Sequence, residues 1–243
     1  MKVALVTGAA RGLGLAWCKA LVQHHYHVIL TARNIDVATQ AALALDPSGL
    51  QVLPFALEVT NEKQLQALAA WIDERFGKLD LLVNNAGVNP KDYADKNRMA
   101  QCFQLDALNA EAMLEVIHIN SIAPLLVVKH VRALLKNAEQ PAVVNISSWL
   151  GSVSELRFGG HYGYVGSKNL LNVLNKSMAF ELKPDGIISV NVNPGWVQTD
   201  MGGSKAPFTA EESVTHMLTH VVAKLTPEQS GKFLNYDGRE HPW

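Results

Sequence analysis

The sequence predicts an α/β protein: one doubly wound parallel sheet with helices on both faces. Three observations carry that prediction. Short apolar runs alternate with segments of helical periodicity along the chain. The first run leads straight into a glycine-rich turn, Thr7-Gly8-Ala9-Ala10-Arg11-Gly12-Leu13-Gly14. The length of 243 residues suits one domain, 1-243, and no low-complexity tract or internal repeat divides it.

The elements follow in order. Val3–Val6 is a short apolar run that reads as a buried strand. From Gly12 to about Gln23, Leu13, Ala16, Trp17, Ala20 and Leu21 recur at helical spacing. Val28–Thr31 is a second strand, and helical pattern returns over Val37–Leu45. Val52–Ala56 is a third strand, with Pro54 weakening the assignment because proline cannot donate to a ladder. In Glu62–Phe76, Leu65, Leu68, Ala69 and Ile72 share one helical face. Leu79–Val83 is a fourth strand, followed by a long polar stretch, 89–104. One long helix is predicted over Ala110–Lys136, a fifth strand over Ala142–Ile146 and a helix over Tyr162–Leu182. Ile187–Val192 gives a sixth strand and Gly231–Leu234 a seventh.

Composition excludes some functions. A net charge of −1 argues against nucleic-acid binding, which needs a basic face. No uninterrupted apolar run approaches the roughly 20 residues of a membrane helix, so no membrane partner is expected. Lys2 precedes only Val3–Val6 before Thr7-Gly8, which does not resemble a secretory signal. Cys18 and Cys102 are too few for a disulfide framework, so reduced thiols and a cytoplasmic location are expected. Asn145-Ile146-Ser147 matches a glycosylation acceptor but ends an apolar strand, and is read as a chance match. His24, His25 and His27 lack an accompanying Cys or carboxylate set, so no metal site is expected.

The glycine-rich turn points to a dinucleotide and so to a Rossmann-like sheet. Gly8, Gly12 and Gly14 permit a tight turn through which backbone N–H groups can approach a pyrophosphate. The following helix adds the positive end of its dipole. Coenzyme choice should be made at the end of the second strand, where an acidic residue would bind the 2′-hydroxyl of NAD. Here the chain reads Leu30-Thr31-Ala32-Arg33, without an acid. Arg33 and Arg11 instead offer guanidinium forks to a 2′-phosphate, which predicts NADP(H).

These residues resemble the short-chain dehydrogenase/reductase family over nearly the whole chain. The resemblance is carried by Thr7–Gly14, Asn84-Asn85-Ala86-Gly87, Asn120, Asn145-Ile146-Ser147-Ser148, Tyr164–Lys168 and Asn193-Pro194-Gly195, in that order. Within the family the chain is most similar to the carbonyl-reductase branch with the C-factor and sniffer proteins. Pro194–Gly203, Gly231–Gly238 and the closing Pro242-Trp243 carry that likeness. The resemblance implies that Leu13 lies in the phosphate turn, that Asn85, Ala86 and Gly87 lie near the cofactor, and that Glu58 and Val59 flank the adenine. It also implies that Pro194, Gly195, Val197 and Thr199 border the nicotinamide. Many relatives have aspartate where Glu58 stands, so its contact with the adenine amine is the less secure one.

The chemistry follows from one pair. Reduction of a carbonyl leaves charge on oxygen, and a proton must arrive there. A tyrosine with its ordinary pKa of about 10 is a weak acid, and a nearby ammonium lowers that value. Tyr164 and Lys168 are four apart and share a helix face, whereas Tyr162 points elsewhere. Strand alternation lets only one of Ser147 and Ser148 face the cleft, and the family pattern selects Ser148 as the group that orients the substrate oxygen. By the same resemblance Asn120 holds a water that links Lys168 to solvent, and Lys168 and Tyr164 also touch the nicotinamide ribose. Trp149, Leu150, Trp196, the 88–104 stretch and Met201–Phe208 are candidates for the substrate pocket, although both tryptophans fit core packing as well. The expected activity is an NADP(H)-dependent oxidoreductase interconverting a carbonyl compound and an alcohol. The alternative is an NADPH-binding sensor with little turnover. The resemblance further implies a homodimer or homotetramer, built on the apolar faces of Ala110–Lys136 and Tyr162–Leu182.

Overall fold

Seven parallel strands form a single sheet in the order β3-β2-β1-β4-β5-β6-β7. They are β1 Lys2–Val6, β2 Tyr26–Ala32, β3 Val52–Ala56, β4 Leu81–Asn84, β5 Ala142–Ile146, β6 Ile188–Asn193 and β7 Phe233–Asn235. The helices are α1 Gly12–Gln23, α2 Ile35–Leu45, α3 Glu62–Phe76, α4 Lys96–Phe103, α5 Ala110–Ile117, α6 Ala123–Lys136, α7 Tyr162–Leu182 and α8 Ala210–His220. The computed structural model describes the whole chain, Met1–Trp243. Strand order reverses between β1 and β4, so a crevice opens at the carboxyl ends of these two strands, where α/β sheets bind ligands.

Alternate strand residues supply two apolar layers. Val6, Leu30, Val83, Val144 and Val192 pack with Trp17, Leu21 and Met217 beneath α1, α2 and α8. Val3, Leu5, Ile29, Leu82 and Val143 pack with Leu68, Ile72, Val131 and Leu135 of α3 and α6. Pro54 is tolerated because β3 lies at the sheet edge, so its missing N–H breaks no interior ladder.

The structure departs from the sequence reading in three places. The polar stretch 89–104 contains α4, capped by the Asp95 carboxylate, which accepts from Asn97 N and Arg98 N. Its apolar stripe is too short for periodicity to reveal it: only Cys102 is buried. The helix expected over Ala110–Lys136 is continuous in direction, but a π-helical turn, His118–Ile122, interrupts its winding. That turn places Asn120 and Ser121 inward. By length and composition this helix could cross a membrane, contrary to the impression that no segment qualifies; here its apolar face lines the α3–α6 core layer. The third departure is a polar core. Asn84, Asn145 and Asn191 stand in register on β4, β5 and β6, all buried. Asn84 Nδ2 donates to Asn145 Oδ1 at 2.9 Å, and Asn145 Nδ2 donates to Asn175 Oδ1 at 3.0 Å. A buried, hydrogen-bonded Asn145 is closed to glycosylation.

Candidate active site

The glycine-rich turn joins β1 to α1 and packs against the turn after β4. Gly8 has φ +61°, and a Cβ there would lie 2.9 Å from Ala86 Cα. At Gly14 a Cβ would come within 2.6 Å of both Asn85 Nδ2 and Gly8 O. Two of the three glycines thus also permit close packing of the turn against Ala86, Asn85 and its own backbone. Asn85 Nδ2 donates to Thr7 O and Gly8 O, each at 3.0 Å. Thr7 Oγ1 accepts from Asn85 N and Ala86 N, also at 3.0 Å. These bonds hold Asn85-Ala86-Gly87 beside the turn.

Helix α1 is built to receive an anion. Five helices carry a side-chain N-cap: α2 uses Asn34, α3 Asn61, α4 Asp95, α5 Asn109 and α8 Thr209. The N-cap of α1 is Arg11, which makes no capping bond, and the first turn, with Leu13, holds no acid. Its first-turn N–H groups have no side-chain cap, as is also true of α7 behind His161.

At the end of β2, Arg33 is exposed, and the first acid after it is Asp36 in the first turn of α2. Arg11, expected to share a 2′-phosphate with Arg33, forms an ion pair with Asp200 at 2.6 Å, both side chains being exposed. Val59 is buried. Glu58 is turned onto its own loop, where its Oε1 accepts from Thr60 Oγ1 at 3.2 Å.

Tyr164 and Lys168 lie on the inward face of α7, both more than nine-tenths buried. Lys168 Nζ donates to Ile146 O at 2.8 Å and sits 5.8 Å from the centre of the Tyr164 ring. The neighbouring Ser148 hydroxyl favours the ionised form of the Tyr164 phenol, but burial outweighs it and the phenol is pushed up to about 12. Burial likewise drives Lys168 down to about 8. Desolvation dominates at the phenol, and the hydrogen bond of the Lys168 ammonium goes to the Ile146 carbonyl.

Ser147 and Ser148 part as strand alternation requires. Ser147 Oγ donates to Asn172 Oδ1 at 2.7 Å, away from the phenol. Ser148 begins a 3₁₀ turn, Trp149–Gly151, and its Oγ accepts from Leu150 N at 3.2 Å. Asn120, in the π turn, closes a clip on Val88. Its Oδ1 accepts from Val88 N and its Nδ2 donates to Val88 O, each at 2.8 Å. The second Nδ2 hydrogen goes to Ser167 Oγ at 3.0 Å. A Cβ on Gly87 would face Asn120 Oδ1 at 3.2 Å and Lys168 Nζ at 3.8 Å, so these groups converge over Gly87.

The segment after β6 roofs the cleft. Asn193 Oδ1 accepts from Trp149 N and Gly195 N, each at 3.2 Å, joining the roof to the Ser148 turn. Pro194 O accepts from Ser213 Oγ at 2.7 Å. Gly195 has φ +80°, and a Cβ there would press on the Phe208 and Tyr236 rings at 3.2 Å. Val197 is buried and bridges to Phe208. Thr199 Oγ1 accepts from Gly202 N at 3.0 Å, and its Cγ2 lies 3.4 Å from where a Gly12 Cβ would be. Met201 reaches the phenol, with Sδ 3.8 Å from Tyr164 Oη. Trp149 and Trp196 are both partly exposed and neither belongs to the core. Sequence reasoning gave no role to Ser167 or Asp200, and named Met201 only as the start of a pocket segment and Asn193 only within a motif. Only the i, i+3 and i+4 spacing of Tyr164, Ser167 and Lys168 could have hinted at the first.

A helix end ready for phosphate beside a buried phenol and amine defines a class: the dinucleotide-linked α/β oxidoreductases. Comparison with known proteins narrows it. The model of the short chain dehydrogenase family matches residues 2–210. The chain belongs to the short-chain dehydrogenase/reductase family. It is 38% identical over 174 residues to the C-signal of Myxococcus xanthus, covering 69% of this chain and 94% of that one. It is 30% identical over 247 residues to a 1-hydroxy-2-glutathionyl-2-methyl-3-butene dehydrogenase of Rhodococcus sp. (strain AD45), covering 100% of both. Among solved structures, the carbonyl reductase Sniffer of D. melanogaster superposes with a TM-score of 0.88 at 31% identity, over 100% of this chain and 99% of that one. An NADPH-bound carbonyl reductase from chicken fatty liver gives 0.88 at 33% identity over 100% of both chains. These likenesses fall in the sniffer and C-factor branch.

Proposed function

We propose that the protein is an NADP(H)-dependent carbonyl reductase that uses Tyr164 as its proton donor. The observation that carries the reading is the burial of Tyr164 and Lys168 on one face of α7, with Lys168 Nζ 5.8 Å from the phenol ring and the roof residue Met201 at the phenol.

The residues fit the coenzyme. The uncapped start of α1, from Gly12 to Gly14, would hold the pyrophosphate, with Arg33 and Arg11 at a 2′-phosphate. Val59, Asn85, Ala86 and Gly87 would line the adenine and ribose side, and Pro194, Gly195, Val197 and Thr199 the nicotinamide side. When bound, the coenzyme supplies a hydride. The chain does the rest. Ser148 donates a hydrogen bond to the substrate oxygen and fixes its place. Tyr164 passes its proton to that oxygen as charge develops there. Lys168, protonated at neutral pH, stabilises the phenolate left behind. Asn120 holds the turn after β4 against α7, and so sets the floor of the site.

The substrate is a hydrophobic carbonyl compound. Support comes from Trp149, Phe158 and Trp196, which expose aromatic surface. The active unit is a homo-oligomer paired through α7, where Val173 and Phe180 are exposed. The cytoplasm is its location, as two unpaired, buried cysteines suggest. NADPH consumption with a panel of apolar aldehydes and quinones tests the reading. Turnover of at least one class is expected, and none with any member would overturn it.

A further inference from the structure

Between Ser148 and Tyr164 the chain makes a long excursion, and its anchoring comes from elsewhere in the sequence. After β7 the backbone turns through Tyr236–Gly238 and runs back along the strand. Asn235 N donates to Arg239 O at 2.8 Å and His241 N to Phe233 O at 2.7 Å. Leu234 and Glu240 form an antiparallel bridge. The returning segment then meets the excursion. Ser154 N donates to Trp243 O at 3.0 Å. His241, only 6% exposed, brings Nε2 to 3.2 Å from Glu155 Oε2, a polar contact outside hydrogen-bond alignment. Both side chains are braced: Phe233 packs edge-on to His241 at 4.6 Å, and Lys176 Nζ lies 5.8 Å from the Trp243 ring centre.

The anchored residues sit at one end of an aromatic wall. Gly151 fixes the start, since a Cβ there would lie 2.9 Å from Asn172 Nδ2. Ser152 Oγ accepts from Glu155 N at 3.3 Å. Beyond Glu155, Phe158 packs between Trp149 at 6.2 Å and His161 at 5.5 Å, and His161 stacks on Phe103 at 4.1 Å. Trp149 follows Ser148, and His161 opens the helix of Tyr164. At the tip only Gly159 stands clear of its surroundings, since a Cβ there would meet nothing within 4 Å, whereas one on Gly160 would lie 2.9 Å from Phe103 O. Arg157 is exposed and bonds only to carbonyls of Ser154 and Leu156.

We propose that His241 and Trp243 are positioning residues that fasten residues 152–156 and so hold the Phe158 wall at a set distance from Tyr164. The returning segment thereby fixes how bulky a substrate the site admits. This rests on reading the cleft as the carbonyl site. Two arms separate the proposal from that reading. The first needs no turnover. Trypsin cleavage after Arg157, followed by mass spectrometry, should run about tenfold faster in Glu155→Ala and Trp243→Ala than in the wild type, because local opening controls access. Glu155 and Trp243 are partly exposed, so these variants keep their fold where His241→Ala could lose it. The second arm compares a fused-ring quinone with a short aliphatic aldehyde. The KM for the quinone should rise about fivefold with kcat within twofold, a loss of uniform binding, while the KM for the aldehyde and the Kd for NADPH stay unchanged. Unchanged cleavage at Arg157, or equal changes for both substrates, would overturn the tether. If the wild type turns over neither substrate, the carbonyl reading falls and the protease arm still judges the tether.

Discussion

Arg11 of the glycine-rich turn and Asp200 of the roof segment form an ion pair at 2.6 Å across the mouth of the site. Both side chains are solvent-exposed, so the pair contributes little to stability, on the order of 0–1 kcal/mol. Its consequence lies in what it withholds. A guanidinium engaged by a carboxylate is less available to a phosphate, and Asp92 adds further negative charge nearby. Asp200→Asn should therefore tighten NADPH binding about threefold and leave NADH binding unchanged. Arg33→Ala should weaken NADPH alone by about tenfold or more. Fluorescence titration with both coenzymes checks this, and equal wild-type affinity for the two would end the phosphate assignment.

The pH profile of reduction follows from two buried groups. Tyr164 holds its proton up to about 12 and Lys168 holds its own up to about 8. Donation from Tyr164 needs its proton present, and stabilising the phenolate needs a charged Lys168. Reductive kcat/KM should thus stay flat through neutral pH and fall about tenfold per pH unit above about 8. A profile that rises between pH 7 and 9 in the reductive direction would contradict these roles.

Acid should loosen the fold before it touches ordinary carboxylates. Burial lowers the pKa of His161 and of His241, the latter partly offset by Glu155. A depressed folded value means that the unfolded chain binds the proton more readily. The stability these histidines confer is therefore present above the ordinary imidazole value of about 6.5 and is lost as pH falls below it. Thermal unfolding at pH 7.5 and 5.5 should show the lower midpoint at 5.5, and a midpoint unmoved over that range would refute the assignment.

The asparagine row predicts a stability cost without a binding cost. Asn145→Ala removes one of two partners from each of Asn84 Nδ2 and Asn175 Oδ1, which keep Pro124 O and Ser189 Oγ, and leaves a void in the buried row. The loss should be about 2–4 kcal/mol by denaturant unfolding. NADPH affinity, read on the surviving folded protein, should hardly change.

The sequence disclosed the layout well because strands and helices there obey simple periods. β1, α1, α3 and β5 need only the rhythm of their apolar residues. The polar core was hidden for the same reason. In β6, Ser189, Asn191 and Asn193 alternate with Val190 and Val192, which reads as a strand with one wet face. On α7, Ser167, Lys168, Asn172 and Asn175 form a polar stripe that looks like a solvent face. Each polar surface is buried because it meets the other, and no local pattern announces such a match. The π turn at Asn120 and the embrace of Arg11 by Asp200 are likewise products of tertiary contact. Tyr164 and Lys168 could be singled out because four-residue spacing fixes one face, whereas the balance of burial against charge at the phenol could not be read from spacing.

The central claim is that the Tyr164 phenol delivers the proton in carbonyl reduction, and the Tyr164→Phe variant tests it most directly. The variant keeps the ring and loses only the hydroxyl. Measured with NADPH and a reducible quinone, its kcat should fall by about 100-fold or more while the Kd for NADPH stays within about twofold of the wild type. A variant that binds NADPH normally and still turns over at more than about a tenth of the wild-type rate would contradict the account.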